Sequence, residues 1–337
     1  MKMRFLGNTG LQVSTLCLGT GTFGGRGAYE KTGAIGQAEA NRIVDMCFEN
    51  GINIFDTAED YSQGWAEEIL GKALGSKRKD AILITKVHPF RNHRTYEGGF
   101  SRKHIIEGCE ASLKRLGMDY IDVYELHFFD EYTPLEVVIR ALDDLVRSGK
   151  IRYTGCSNFD GWQIMKGIMI SDKNGWERFS TVEALYNIAS RWVEFELSPL
   201  CVDQGIGMLV FSPLHGGYLS GKYRRNQPWP QGTRFDKPNT GGGWPVDINE
   251  LYKIVDELEV VAKAHNVTIG QTAMNYLLRK PGVSSLIVGI RNEQQLEENI
   301  KATDWEMTQE EFKRLDEISE PVRRHPYNKI KLSSASK

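Results

Sequence analysis

A (β/α)8 barrel is the fold class this sequence predicts, and three observations predict it. Eight short β-rich runs alternate with helical patterns, most links between them are short, and no repeat or linker divides the 337 residues. An open doubly wound sheet fits eight such units less well. One barrel domain over residues 1–337 is therefore expected, with a core that a chain of this length can bury.

The chain opens on a hairpin: "MRFL", the turn "GNTG", and "LQVSTL", which alternates with a period of two. The eight runs follow as "LCLGT" (from Leu16), "INIFD" (Ile52), "AILITK" (Ala81), "IDVYELH" (Ile121), "IRYTGCS" (Ile151), "STVEALY" (Ser180), "IGMLVFS" (Ile206) and "SSLIVG" (Ser284). Between the first two, "QAEANRIVDMCFEN" reads as a helix closed by Gly51. "SRKHIIEGCEASLKRLG" takes Ser101 as its N-cap and Gly117 as its end. "TPLEVVIRALDDLVRSGK" repeats the design, with Thr133 as cap, Pro134 at the first helical position and Gly149 at the close. One link is long: residues 213–247 are rich in Gly and Pro and are expected to form a functional lid.

With 40% hydrophobic and 26% charged residues and a formal net charge of -2, the composition is that of an ordinary globular protein. It offers no basic patch for nucleic acid. No apolar run approaches the roughly 18 residues that span a bilayer, and the N-terminus lacks a signal-peptide pattern, so a cytoplasmic protein without membrane contact is expected. Cys17, Cys47, Cys109, Cys156 and Cys201 lie far apart with no C-x-x-C pair, as reduced packing residues would.

Polar residues at strand ends carry the most weight, because active sites of barrels form where strand C-termini meet. Asp56 ends "INIFD", Lys86 ends "AILITK", His127 ends "IDVYELH", and Tyr61 follows in the loop after Asp56. Taken singly, Asp56 is also a turn cap, Lys86 a rim charge, His127 a rim histidine and Tyr61 an exposed loop residue. Taken together they suit carbonyl chemistry. A phenol with a pKa of about 10 is a poor acid, a nearby ammonium lowers that value, and a carboxylate keeps the ammonium charged and aimed. Asp56 would hold Lys86, Lys86 would tune Tyr61, and His127 would hydrogen-bond a carbonyl oxygen. Metal-dependent hydrolysis is less attractive: the fourth run has no H-x-H pair, and His88 and His93 lack carboxylates nearby in sequence. A Schiff-base aldolase using Lys86 as nucleophile is the more serious rival.

The loop "FDTAEDYSQGWAEEILGKAL" resembles the D-T-A-x-x-Y-x-x-G-x-x-E signature of the aldo-keto reductases. "LKRLGMDYIDVYELH", "GKIRYTGCSNF", "FSPLHGGYLSGKY" and "VGIRNEQQLEEN" resemble further motifs of that family, in order over nearly the whole chain. The resemblance implies a catalytic tetrad of Asp56, Tyr61, Lys86 and His127, with Tyr61 as general acid, and a nicotinamide cofactor bound without a Rossmann fold. Gly21, Thr22, Asp56, Ser157 and Asn158 would lie near the nicotinamide and Phe211 would stack on its ring. Ser212, Leu214 and Lys222 would hold the pyrophosphate, and Gly289, Arg291, Gln295, Glu298 and Asn299 the adenosine end.

Arg291 beside a helix start suits a 2′-phosphate, which favours NADPH and leaves NADH possible. Two positions depart from the family. Gln295 stands where many members carry a basic residue, as it does in the related potassium-channel β subunits. Glu183 stands where the family has a Gln on the nicotinamide carboxamide, and an ionised glutamate cannot donate there. A cytosolic NADPH-dependent reductase of an aldehyde, ketone or keto-sugar is implied. A cofactor-binding regulatory subunit is the alternative, against which His127 counts because channel subunits often carry Asn there. Phe23, Trp65, Phe90, Phe128, Phe129, Trp192, Tyr218 and Trp244 are candidates for an aromatic substrate pocket, with His88 and Arg91 for polar groups. The sequence carries no reading of oligomeric state.

Overall fold

The computed structural model describes residues 1–89, 99–231, 233, 235 and 247–322. Met3–Phe5 (β1) and Gln12–Ser14 (β2) pair antiparallel as the expected hairpin. The eight runs become β3 (Leu16–Gly19), β4 (Ile54–Asp56), β5 (Ile82–Val87), β6 (Ile121–Leu126), β7 (Ile151–Ser157), β8 (Phe179–Leu185), β9 (Gly207–Phe211) and β10 (Val283–Gly289). They close into a parallel barrel in the order β10-β3-β4-β5-β6-β7-β8-β9. Around it lie α1 (Gln37–Glu49), α2 (Trp65–Leu74), α3 (Arg102–Leu116), α4 (Leu135–Arg147), α5 (Gly161–Asn174), α6 (Leu197–Gln204), α7 (Ile248–His265), α8 (Ile269–Leu278), α9 (Glu293–Ile300) and α10 (Gln309–Ile318).

Strand periodicity decides what faces inward, since successive side chains point to opposite faces. Cys17, Ile54, Ile84, Val123, Leu209 and Ile287 meet inside the barrel, while Leu18, Phe55, Leu83, Tyr124, Val210 and Val288 pack under the helices. Two residues beyond Ile54 and Ile84 on the same faces stand Asp56 and Lys86, and two beyond Val123 stands Glu125, followed by His127. The polar residues thus crown an apolar interior. Leu6 and Val13 of the hairpin join that interior cluster from its other end, and burying each fully stabilises the fold by about 1.5–3 kcal/mol. Asn8 N donates to Gly205 O at 2.8 Å and Tyr153 Oη to Thr9 O at 3.1 Å, tying the hairpin down. At Gly7, with φ +53, a Cβ would stand 2.4 Å from Gly205 O, so glycine is required for this approach.

Local signals act as expected at α3: Ser101 Oγ accepts from His104 N at 3.2 Å, and Gly117 ends the helix in the left-handed region with φ +67. At α4 the expectation is corrected by one residue. Pro134 keeps an extended ψ of 128 and flanks the helix, which starts at Leu135, so Thr133 is not its cap. The long link holds a short 3-10 helix, His215–Ser220, and an aromatic cluster of Tyr223, Trp229 and Phe235. All five cysteines are free and buried. Among the described residues no helix is long and apolar enough to cross a membrane.

Candidate active site

The barrel brings Asp56, Lys86, His127 and Tyr61 to one mouth. Asp56 is the last residue of β4, Lys86 lies on β5, and His127 follows β6. Tyr61 opens a turn, Tyr61–Gly64, in which Ser62, Gln63 and Gly64 all have positive φ before α2 begins. That turn sends the chain from β4 into α2 while the Tyr61 ring stays over the barrel, its face 5.2 Å from Lys86 Nζ and its edge against His127 at 5.8 Å.

Lys86 is fully buried, and its ammonium has three donors. It forms an ion pair with Asp56, donates to Thr57 O at 3.0 Å, and stands 3.2 Å from Glu183 Oε1. Burial works against its charge, but Asp56 and Glu183 outweigh burial and hold the lysine well above its ordinary pKa. Tyr61 differs from the expectation of a lowered pKa. Burial raises it, Lys86 pulls it back, and Asp56, Glu183 and Tyr29 push it up again, so it rests well above its ordinary value. The phenol keeps its proton at neutral pH, which an acid requires.

His127 has a neighbour that sequence reasoning missed. Its Nδ1 lies 3.1 Å from Asp60 Oδ1, and Tyr29 Oη donates to Asp60 Oδ2 at 2.9 Å. Burial would raise the Asp60 carboxyl, but His127, His88 and Tyr29 outweigh it and hold Asp60 below its usual range. Asp60 also corrects the expectation that His88 lacks a nearby carboxylate, since ligand atoms of Asp60, His88 and His127 all lie within 4.8 Å of one another. Asp60 Oδ2 accepts from Tyr29, and Asp60 Oδ1 lies against His127 Nδ1, so we read this group as the support of His127. Its only sequence signal was adjacency to Tyr61.

Residues expected around a nicotinamide gather at the same mouth. Thr22 Oγ1 is buried without a hydrogen-bond partner among the described residues, the kind of group a polar cofactor atom would satisfy. Asn158, with φ 58, donates to His127 O and to Ser157 Oγ, each at 3.0 Å. Phe211 ends β9 over the interior cluster, and Gly21 has open space up to Tyr61 at 3.9 Å. Ser212 (φ 56) leads into the short helix after Leu214, where the Lys222 ammonium reaches Gly217. Gly289 ends β10 beside β3. Arg291 N donates to Gln295 Oε1 at 2.8 Å, while its guanidinium donates to Thr32 O at 3.0 Å and Lys31 O at 3.2 Å. At least two of its five guanidinium donors are thus committed to backbone. Asn299 is buried on α9, and Glu298 is exposed with its carbonyl accepting from Gln271. These positions lie at or after the C-terminal ends of β3, β7, β9 and β10.

Glu183 is not an ionised acceptor standing alone. Burial, then Asp56 and Glu125, push its carboxyl well above the usual range against the pull of Lys86. Among the aromatic candidates, Phe23 is core. Phe128 stacks on His127 at 4.9 Å, Phe129 meets Trp162 at 5.9 Å, and the Arg26 guanidinium covers Trp65 at 3.4 Å. Tyr218 joins the aromatic cluster of the long link, and Trp192 is exposed. Phe90, Arg91, His93 and Trp244 lie outside the described residues.

The sequence pattern of the aldo/keto reductase family matches residues 15–320. The chain belongs to the aldo/keto reductase family. It is 37% identical over 315 residues, 90% of this chain and 92% of the relative, to a probable voltage-gated potassium channel subunit beta of Arabidopsis thaliana. A versiconal hemiacetal acetate reductase of Aspergillus parasiticus is 32% identical, with 97% of this chain and 99% of the relative covered. An uncharacterized oxidoreductase, YrpG, of Bacillus subtilis (strain 168) is 34% identical over 94% and 96%. Aldo/keto reductases generally use nicotinamide cofactors, and membership supports oxidoreductase chemistry on carbonyls in general.

Proposed function

We propose that this protein is an NADPH-dependent oxidoreductase, a single cytoplasmic barrel domain that reversibly reduces an aldehyde, ketone or keto-sugar to the alcohol. The observation that carries the reading is the convergence of a protonated Tyr61, the Lys86–Asp56 ion pair and His127 at one barrel mouth. When bound, the nicotinamide supplies or accepts the hydride. Tyr61 gives its proton to the substrate oxygen, and its developing phenolate is stabilised by the buried Lys86 ammonium beneath the ring. Asp56 and Thr57 O keep that ammonium charged and aimed. His127, steadied by Asp60, orients the substrate oxygen beside Tyr61. Gly21, Thr22, Ser157, Asn158 and Phe211 hold the nicotinamide end. Ser212, Leu214 and Lys222 hold the pyrophosphate, and Gly289, Arg291, Gln295, Glu298 and Asn299 the adenosine end.

A Schiff-base aldolase is disfavoured, because a lysine held protonated by its ion pair with Asp56 is a poor nucleophile. Borohydride would trap substrate on Lys86 if that reading held. The regulatory-subunit alternative draws on the channel-subunit relatives. His127 and its Asp60 support favour turnover instead. A screen of NADPH oxidation over aldehydes, ketones and keto-sugars separates the two: oxidation with at least one class is expected, and cofactor binding with no oxidation would support the regulatory subunit.

A further inference from the structure

Behind the Lys86–Asp56 pair lies a second layer of acid that the mechanism above does not use. Glu125 on β6 is in register with Lys86 on one side and with Gly155 on the other, and Gly155 is in register with Thr181. All of these point into the barrel. A Cβ at Gly155 would stand 2.7 Å from Glu125 Oε1 and 2.1 Å from Thr181 Oγ1, so the glycine makes the room that Glu125 occupies. Thr181 Oγ1 donates to Glu125 Oε1 at 2.6 Å. The Glu125 carboxyl is in hydrogen-bond contact with Glu183, and Glu183 with Asp56. Three buried carboxyl groups in contact therefore surround one ammonium: Glu183 Oε1 stands 3.2 Å from Lys86 Nζ, and Glu125 Oε2 has no hydrogen-bond partner among the described residues. Two carboxylates in contact inside a barrel cannot both stay charged, and a proton between them removes that repulsion.

We propose that Glu125 and Glu183 are a proton-sharing pair that positions Lys86. While the pair holds its proton, Glu183 meets the mouth of the barrel as a neutral acid with an O–H to donate, the capacity an ionised glutamate lacks. When the proton leaves, the Glu183 carboxylate, already 3.2 Å from Lys86 Nζ, gains full charge and draws the ammonium from Tyr61 toward β8. The effect on turnover rests on the reductase reading, whereas the shared proton does not.

Among the described residues, the groups facing the pair are Cys17 from β3, Asp56 from β4, Lys86 from β5, Cys156 from β7, Thr181 from β8 and Tyr61 from the loop after β4. Of these, the Lys86 ammonium is the cation. Burial pushes the Glu125 carboxyl up to about 8, opposed by Lys86 and Thr181, and the first proton lost belongs to the pair as a unit. Glu183 is pushed well above the carboxylate range as well, by burial and then by Asp56, so the pair holds a proton at neutral pH and gives it up only on the alkaline side.

Infrared spectroscopy of the cofactor-free protein, with isotope-labelled glutamate, tests this directly. At neutral pH a protonated-carboxyl stretch that shifts in heavy water is expected. It should weaken as the pH rises on the alkaline side and be missing from the Glu125→Gln/Glu183→Gln double variant. A wild-type spectrum with no glutamic acid band at neutral pH overturns the pair, whether or not the variants fold and whether or not the protein reduces any carbonyl. In turnover, the wild type should lose kcat/KM for carbonyl reduction on the alkaline side, and Glu183→Gln should lose that limb because its amide cannot ionise. An identical alkaline limb in both proteins would remove Glu183 from the positioning of Lys86.

Discussion

Asp60 illustrates how a single residue next to a recognised motif carries its own chemistry. Asp60 Oδ1 stands 3.1 Å from His127 Nδ1, and because a carboxylate only accepts hydrogen bonds its charge favours the ring form that carries hydrogen on Nδ1. Asp60→Asn keeps the size and removes the charge that orients the ring. It should lower kcat/KM for carbonyl reduction by about 1.5–3 kcal/mol, the range for a hydrogen bond to a charged group, with cofactor affinity little changed. Steady-state kinetics at saturating NADPH would reveal this, and a wild-type kcat/KM would remove Asp60 from the site. Position at strand ends made Asp56, Lys86 and His127 legible in the sequence. Glu125, two residues before His127, was not singled out, because its partner lies two strands away on β8 and no spacing in one sequence records that meeting. Asp60 was hidden for a related reason: its contact crosses from the loop after β4 to the end of β6.

At the scale of elements, capping was readable where a side chain does the capping, and misplaced where backbone geometry decides. Ser101→Ala should lower stability by about 1 kcal/mol by leaving the first turn of α3 without its acceptor. Urea unfolding would detect that loss, and an unchanged midpoint would mean solvent replaces the cap. Thr133 could not be excluded as a cap in the same way, because only the extended ψ of Pro134 moves the helix start to Leu135. In the proposed function, Arg291 in the loop between β10 and α9 reads the 2′-phosphate. Arg291→Ala should weaken NADPH by about 1.5–3 kcal/mol and leave NADH nearly unchanged. Because its guanidinium also bonds Thr32 O and Lys31 O, a loss shared equally by both cofactors in calorimetry would assign Arg291 to bracing the 31–32 loop instead.

For the whole molecule, stability and chemistry depend on pH through different buried groups. Burial pushes His215 down to about 4, and Asn187 Nδ2 meets its Nδ1 at 3.2 Å. A histidine depressed on folding binds more protons when unfolded, so stability is intact above its unfolded pKa of about 6.5 and is lost as the pH falls toward 4. That loss amounts to roughly 3 kcal/mol for the full shift. His215→Gln should flatten this part of the acid limb in thermal melts of the cofactor-free protein, and an unaltered limb would place acid sensitivity elsewhere. The barrel itself followed from eight alternating runs, since closure requires only their number and phase. The central claim is that Tyr61, kept protonated above a buried ammonium, delivers the proton in carbonyl reduction. Its most direct test is NADPH oxidation by wild type and Tyr61→Phe on the same carbonyl substrate, with NADPH binding measured in parallel. The account predicts unchanged binding and a kcat lower by roughly 10²-fold or more in the variant. A Tyr61→Phe protein that binds NADPH and turns over at the wild-type rate would contradict it.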